Sequence, residues 1–135
     1  DIENTVQTAK NLSENDTGKV GTMGFCLGGF LSYLSSIHTS SDANVGYYGV
    51  GIENKLSEKD DIKSNLVLHI ATEDQFVPPD VQIKIHNELD NHPKVSIYDY
   101  KADHAFARIG GDSYVEDIAS VAEERTINFF NKFLR

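Results

Sequence analysis

The sequence is poor in cysteine, proline and basic residues, and it has no long apolar run. Its single cysteine, Cys26, excludes an internal disulfide framework and a zinc site built from several thiolates. No stretch approaches the roughly 20 apolar residues of a membrane helix, and the opening DIENTVQTAK does not resemble a signal peptide. The chain has 12 Lys and Arg against 21 Asp and Glu, and no local basic patch. We therefore expect a cytoplasmic protein that binds neither nucleic acid nor a membrane.

The chain reads as one domain over residues 1–135, because no repeat, low-complexity tract or linker divides it and it has only 3 prolines. Strand-length apolar runs alternate with helical patterns. Since parallel strands need long crossovers, this alternation predicts an α/β fold of about four mainly parallel strands flanked by helices. The runs and patterns are 18–25, 29–38, 43–48, 65–71, 79–91, 94–100 and 113–133.

Three segments refine this prediction. Ser113 and Glu116 fit a capping box, which predicts the start of the last helix. The run 66–70 is apolar without alternation, as in a strand covered on both faces, so His69 is predicted to be a core histidine. Residues 1–12 have helical character but no preceding strand, which suggests that the domain lacks its beginning.

The segment from Lys19 to Gly29 has the pattern of a nucleophile elbow, with G-x-C-x-G at a strand-to-helix turn. Such a turn needs glycine two residues before and after the nucleophile, here Gly24 and Gly28, because larger side chains would collide. The following helix N-terminus should favour the thiolate of an exposed Cys26. The alternative is a small buried cysteine beside glycines that pack a helix on a strand.

A thiol nucleophile needs a base, and the base needs a carboxylate that orients it. Asp74 follows one predicted strand and His104 follows the next, in the chain order nucleophile, acid, histidine that α/β-hydrolases use. Glu73 and Asp103 are second choices for the carboxylate. Taken singly, a loop Asp is usually a turn or cap residue and a loop His is usually solvated. The remaining histidines have no spacing to a second metal ligand, so no metal site is predicted at His38, His86 or His92.

Four segments resemble the dienelactone hydrolases, also called carboxymethylenebutenolidases: GFCLGGFLSY at 24–33, VGYYGVGIE at 45–53, EDQFVPPD at 73–80 and DHAFARIGGDSYVEDIASVAEERTINFF at 103–130. The resemblance extends over nearly the whole chain and implies an α/β-hydrolase fold. It also implies roles for seven residues: Cys26 as nucleophile, Asp74 and His104 as its partners, the Leu27 backbone N–H in the oxyanion hole, Arg108 on the substrate carboxylate, and Tyr48 and Phe76 along the pocket.

The family also has an N-terminal half with further strands, a second oxyanion donor, a glutamate that pairs with the resting cysteine and another substrate-binding arginine. This sequence has none of them, so it resembles the C-terminal half of such an enzyme. The resemblance implies hydrolysis of a carboxylate-bearing lactone or ester without a metal or organic cofactor. One alternative is a noncatalytic fragment that self-associates through an exposed sheet edge. A ligand-binding or redox domain is the other, but the G-x-G-x-x-G run or C-x-x-C pair that it needs is absent.

Overall fold

The computed structural model describes residues 1–135 as a parallel four-stranded sheet with helices on both faces. This arrangement confirms the predicted α/β architecture. The strands are β1 (Gly21–Phe25), β2 (Ala43–Tyr47), β3 (Asn65–Ala71) and β4 (Val95–Tyr100). The α-helices are α1 (Ile2–Lys10), α2 (Leu27–His38), α3 (Pro79–Leu89) and α4 (Glu116–Leu134), and a 3-10 segment covers Ile52–Asp61.

The strands lie in the sheet in chain order, and every neighbouring pair is parallel. Phe25 pairs with Tyr47, Tyr47 with His69, and His69 with Tyr98, so the strands are closely in register. Because parallel strands end at the same edge of a sheet, the segments that follow β1, β2, β3 and β4 come together there.

The core has two layers, one on each face of the sheet. One layer packs Leu66, Leu68 and Ile70 of β3 with residues of α2, α3 and the 3-10 segment. The other packs Val67 of β3 with residues of β2, β4 and α4. Both faces of β3 are therefore buried, which explains its apolar run without alternation and confirms the interpretation of His69, whose exposed fraction is 1%.

The capping box predicted for the last helix is wrong. Helix α4 begins at Glu116, and its N-cap is Val115, which makes no side-chain cap hydrogen bond. Ser113 lies two residues before the N-cap, where its hydroxyl does not occupy the capping position. The backbone fixes the helix start instead, because the N–H of Val115 donates to the carbonyl of Phe106 at 3.0 Å.

Strand β1 is an edge of the sheet, since it pairs only with β2. Its Met23 and Phe25 side chains keep 52% and 43% of their surface exposed, which is unusual for apolar residues of a central α/β sheet. No helix of the chain has both the length and the apolar character needed to cross a membrane.

Candidate active site

Cys26 lies at the sharp turn between β1 and α2, with φ 55° and ψ −118°. This positive φ is strained for a residue other than glycine. A Cβ atom on Gly24 would overlap the backbone of Gly28, so only glycine fits two residues before Cys26. The backbone holds the turn: the Cys26 N–H donates to Tyr47 O at 3.1 Å, and the Cys26 carbonyl accepts the N–H of Val50 at 3.2 Å. These features are those of the predicted elbow, but the predicted need for glycine at position 28 is wrong, because a Cβ atom on Gly28 would meet no atom within 4 Å.

The imidazole of His104 lies between the thiol of Cys26 and the carboxylate of Asp74. Its Nε2 is 2.8 Å from Cys26 Sγ, and its Nδ1 is 2.7 Å from Asp74 Oδ2. Asp74 is buried, and its Oδ1 accepts the backbone N–H of Phe76 at 2.8 Å. A carboxylate is a hydrogen-bond acceptor, so it favours the tautomer with the proton on Nδ1. In that tautomer Nε2 is free to accept the proton of the thiol.

The other two carboxylates considered for this role lie elsewhere. Asp103 Oδ1 accepts the backbone N–H of His104 at 2.6 Å, so Asp103 contacts the main chain of that residue and not its ring. Glu73 is exposed, and only its backbone N–H is engaged, with Ala102 O at 3.0 Å. Asp74 is therefore the carboxylate that the fold places on the imidazole.

The expectation of a favoured thiolate is wrong for this structure. Burial raises the pKa of the Cys26 thiol above its ordinary value, the negative charge of Asp74 raises it further, and the positive charge of Arg108 lowers it. Cys26 is half-buried rather than lifted into solvent. Because the pKa of this thiol lies above its ordinary value, the protonated form is favoured at rest.

The aromatic rings of Tyr48 and Phe76 pack against the imidazole. The ring centroid of Tyr48 lies 5.0 Å from that of His104, and the Phe76 centroid lies 4.9 Å from it, both edge-on. Tyr48 is buried, and this burial raises its pKa to about 12, so its hydroxyl stays protonated. Phe76 is largely exposed, which leaves its ring available to a ligand.

The two remaining predicted residues are Leu27 and Arg108. Leu27 is the first residue of α2, a position where the backbone N–H has no partner within the helix. Arg108 is exposed in the loop after His104, forms no ion pair, and is close enough for its charge to act on Cys26. The fold thus brings all seven predicted residues to one edge of the sheet, and their roles stay predictions.

Sequence reasoning missed a buried polar network beneath this site. The Nδ1 of His69 lies 2.9 Å from the Tyr100 hydroxyl, and its Nε2 lies 2.9 Å from the Thr126 hydroxyl. Thr126 is in turn 2.8 Å from the Tyr47 hydroxyl. Burial, and secondarily the charge of Arg125, lowers the pKa of His69 to about 3, so its ring is neutral. No local sequence signal reveals these contacts, because the partners come from three strands and α4.

No cluster of three or more His, Cys, Asp or Glu side chains is arranged to hold a metal ion. The polar groups of the site are instead those of thiol and acid–base chemistry. A thiol, an imidazole and a carboxylate in hydrogen-bond series can move one proton from sulfur to nitrogen and stabilise the resulting cation.

Comparison with known proteins identifies similar chains. The model of the dienelactone hydrolase family matches residues 1–134. A carboxymethylenebutenolidase of Pseudomonas putida is 35% identical over 130 residues, which are 96% of this chain and 55% of that protein. A putative carboxymethylenebutenolidase of Azospirillum brasilense is 39% identical over 109 residues, 80% of this chain and 47% of that one. This chain spans about half the length of the curated relatives that it matches.

Solved structures show the same fold at lower identity. A putative dienelactone hydrolase from Klebsiella pneumoniae superimposes with a TM-score of 0.85 at 21% identity, over 98% of this chain and 59% of that one. A dienelactone hydrolase-like promiscuous phosphotriesterase from metagenomic libraries gives 0.79 at 19% identity, over 95% and 58%. These likenesses establish the α/β-hydrolase fold of the chain.

Proposed function

Because the chain belongs to the dienelactone hydrolase family, we propose that it carries the nucleophile, acid and base of a hydrolase that cleaves a carboxylate-bearing lactone or ester. The observation that carries the proposal is the series of two contacts, Cys26 Sγ to His104 Nε2 at 2.8 Å and His104 Nδ1 to Asp74 Oδ2 at 2.7 Å. The names of the curated relatives support the lactone as substrate class.

In the first step, His104 Nε2 accepts the thiol proton as Cys26 sulfur attacks the carbonyl carbon of the substrate. A carbon–sulfur bond forms, and the carbonyl π electrons move to oxygen, where the Leu27 N–H at the start of α2 stabilises the negative charge. Asp74 stabilises the imidazolium that results. The ring or ester C–O bond then breaks, and the leaving oxygen, an alkoxide or enolate, takes the proton from His104.

In the second step, water cleaves the thioester. His104 Nε2 accepts a proton from the attacking water, the hydroxyl oxygen bonds to the carbonyl carbon, and the carbon–sulfur bond breaks. The leaving sulfur recovers its proton from His104, and the acid product is released. Because the pKa of the thiol is raised in the free enzyme, the proton moves to His104 as the sulfur attacks. The mechanism does not require a thiolate to form beforehand.

The surroundings of the thiol select the substrate in this proposal. Arg108 is exposed, forms no ion pair and is near enough for its charge to act on Cys26, so its planar guanidinium can pair with a substrate carboxylate in two parallel hydrogen bonds. Phe76 is exposed beside His104 and supplies an apolar wall suited to a flat unsaturated ring, whereas the buried Tyr48 ring packs against the imidazole and supports its position.

We also propose that the 135 residues form part of a larger hydrolase domain. Two observations support this: the relatives are about twice as long, and β1 has an unpaired edge with exposed Met23 and Phe25. Losing one oxyanion donor typically lowers the rate about 100- to 1,000-fold. The 135-residue chain should therefore turn over substrate much more slowly than a chain that includes the additional half seen in relatives.

An unpaired strand is also a template for another chain, so self-association of the 135 residues is the alternative to a purely intramolecular partner. Turnover and solution mass, measured on both lengths of chain, separate these proposals. A monodisperse 135-residue monomer with the rate of the longer chain would contradict both the larger domain and the self-association.

The nucleophile is tested by alkylation. Iodoacetamide should add one carbamidomethyl group, located at Cys26 by mass spectrometry, and should abolish lactone hydrolysis by the longer chain in proportion to labelling. Cys26→Ala should be equally inactive. Full turnover after stoichiometric labelling, or in Cys26→Ala, would overturn the proposal.

A further inference from the structure

A second groove lies at the opposite end of the sheet from Cys26. It has a volume of about 390 Å³ and lies between the beginnings of β3 and β4 and the second half of α4. Three cations line it, Lys94, Arg125 and Lys132, and no acidic residue does. In a chain of formal net charge −9, three cations in a lining with no acidic residue form a local reversal of charge. The sequence shows no basic patch because these residues come from a loop and two turns of α4.

None of the three cations takes part in an ion pair of the structure. Arg125 is half-buried, and its guanidinium stacks over Tyr98, with 4.3 Å from Cζ to the ring centroid. Its only side-chain hydrogen bond goes from Nη1 to the Tyr100 hydroxyl at 3.1 Å. Arginine has five N–H donors in a planar fork, so most of the fork has no acceptor while the stacking fixes its plane. The arrangement is preorganised for a planar anion.

The groove also has an apolar wall. Phe129 and Phe133 line it with their ring centroids 5.1 Å apart, and the Lys132 Nζ atom lies 5.2 Å from the Phe133 ring centroid. Aromatic faces next to a fixed guanidinium favour a ligand that joins a flat apolar body to a carboxylate. A compact inorganic anion would use only the cations.

We propose that this groove is a second binding site that takes a planar organic carboxylate. The carboxylate pairs with the free edge of the Arg125 guanidinium and with Lys132, and the flat body packs against Phe129 and Phe133. The site is separate from the thiol, because Lys94 precedes β4 whereas His104 follows it, and it does not depend on the proposed hydrolysis.

The test titrates the 135-residue protein with benzoate, followed by chemical shifts in ¹⁵N–¹H spectra and by calorimetry. We expect saturable binding, with the largest shifts at Arg125 and Phe129. Arg125→Gln should weaken binding about tenfold, because it removes a charge-assisted pair. Lys132→Gln should weaken it about threefold, as for an exposed charge. The matched control is Lys84→Gln on α3, an exposed lysine without an ion pair, which should not alter binding.

Further ligands and one further variant test the chemistry. Benzyl alcohol, the neutral analogue, should not bind measurably, and inorganic phosphate should bind at least about tenfold more weakly than benzoate, since it lacks the flat body. Arg125→Lys keeps the charge but loses the fork, so it should bind benzoate more weakly than the parent chain. If Arg125→Gln does not fold, Arg125→Lys and Lys132→Gln still test the site.

The proposal is overturned if benzoate binds equally well to the parent chain, Arg125→Lys and Lys132→Gln. It is also overturned if benzyl alcohol or phosphate binds as tightly as benzoate, because then the site does not recognise an organic carboxylate. Binding that disappears when Cys26 is alkylated would place the ligand at the thiol and contradict a separate site. A failure of hydrolysis in the longer chain, by contrast, leaves these results unchanged.

Discussion

The backbone carbonyl of Tyr47 accepts the N–H of Cys26 at 3.1 Å, so a residue at the end of the neighbouring strand fixes the main chain of the proposed nucleophile. The Tyr47 side chain is itself fixed, because its hydroxyl lies 2.8 Å from that of Thr126 on α4. Thr126 bonds His69 on β3. A buried polar network therefore links three structural elements directly to the position of the thiol.

Two substitutions should shift the pKa of the Cys26 thiol in opposite directions. Asp74 raises this pKa and Arg108 lowers it, so Asp74→Asn should speed alkylation of Cys26 by iodoacetamide near neutral pH, whereas Arg108→Gln should slow it. Each change should be about two- to tenfold, since the charges act through partly solvated surroundings. Alkylation rates measured between pH 6 and 10 give the pKa in each variant. Shifts of the same sign in both would show that the two charges do not control the thiol.

Asp74 orients the imidazole, and Asp103 provides a matched control. Asp74→Asn removes the acceptor at Nδ1 and should lower kcat of the longer chain about 1,000-fold or more, as expected when the wrong tautomer is held. Asp103→Asn changes the same residue type next to His104 without touching its ring, and kcat should change less than about threefold. Steady-state kinetics on both variants test the assignment. Equal losses would show that the carboxylate at 74 has no special role.

Arg108 should discriminate between acidic and neutral substrates. In the longer chain, Arg108→Ala should lower kcat/KM for a carboxylate-bearing lactone about 100-fold and for its neutral ester analogue only a few-fold. Arg135→Ala, at the exposed C-terminal residue, is the control and should affect neither substrate. An equal penalty on both substrates in Arg108→Ala would indicate a structural role for this arginine.

The two glycines of the elbow differ in what surrounds them. Gly24→Ala places a Cβ against the backbone of Gly28 and should lower the free energy of unfolding by about 3 kcal/mol or prevent folding. Gly28→Ala meets no atom within 4 Å of the added Cβ and should leave stability within about 1 kcal/mol. Urea denaturation of the two variants measures this difference. Similar stability for both would show that the turn relaxes around a methyl group.

His69 should make stability depend on pH. Its folded pKa of about 3 lies below its ordinary value, so the unfolded chain binds a proton that the folded chain does not as pH falls below about 6.5. Between pH 6 and 4 this residue should therefore remove up to about 1.4 kcal/mol of stability per pH unit. Comparison of the parent chain with His69→Gln isolates its share, because the variant lacks this proton. Parallel stability curves for the two chains would contradict the low pKa.

Patterns within single segments predicted much of the fold. The predicted strand 65–71 coincides with β3. The chain order elbow, acid, histidine predicted that Asp74 and His104 would meet, and they do, because parallel strands end at one edge of the sheet. The capping box failed because a backbone bond from Val115 to Phe106, distant in sequence, fixes the start of α4. The 3-10 segment Ile52–Asp61 has no clear period and was not predicted.

The pKa of Cys26 and the cation-lined groove could not be predicted from the sequence, because both depend on residues that are distant along the chain. The expected thiolate rested on the local helix N-terminus, whereas burial and the charge of Asp74, which folding brings near the thiol, raise the pKa of Cys26. The cations of the second groove likewise lie up to 38 positions apart in the chain, from Lys94 to Lys132. Charge in this protein is organised by tertiary contact, and sequence patterns report only charges that are close along the chain.

The elbow holds Cys26 entirely through its main chain, with the N–H bonded to Tyr47 and the carbonyl accepting from Gly29, Phe30 and Val50. None of these bonds involves sulfur. A serine at this position would therefore occupy the same strained turn with the same backbone partners, and only the acidity and size of the reacting atom would differ. The backbone thus fixes the position of the proposed nucleophile whether the reacting atom is sulfur or oxygen, so a single substitution changes the chemistry of this turn without changing its main-chain contacts.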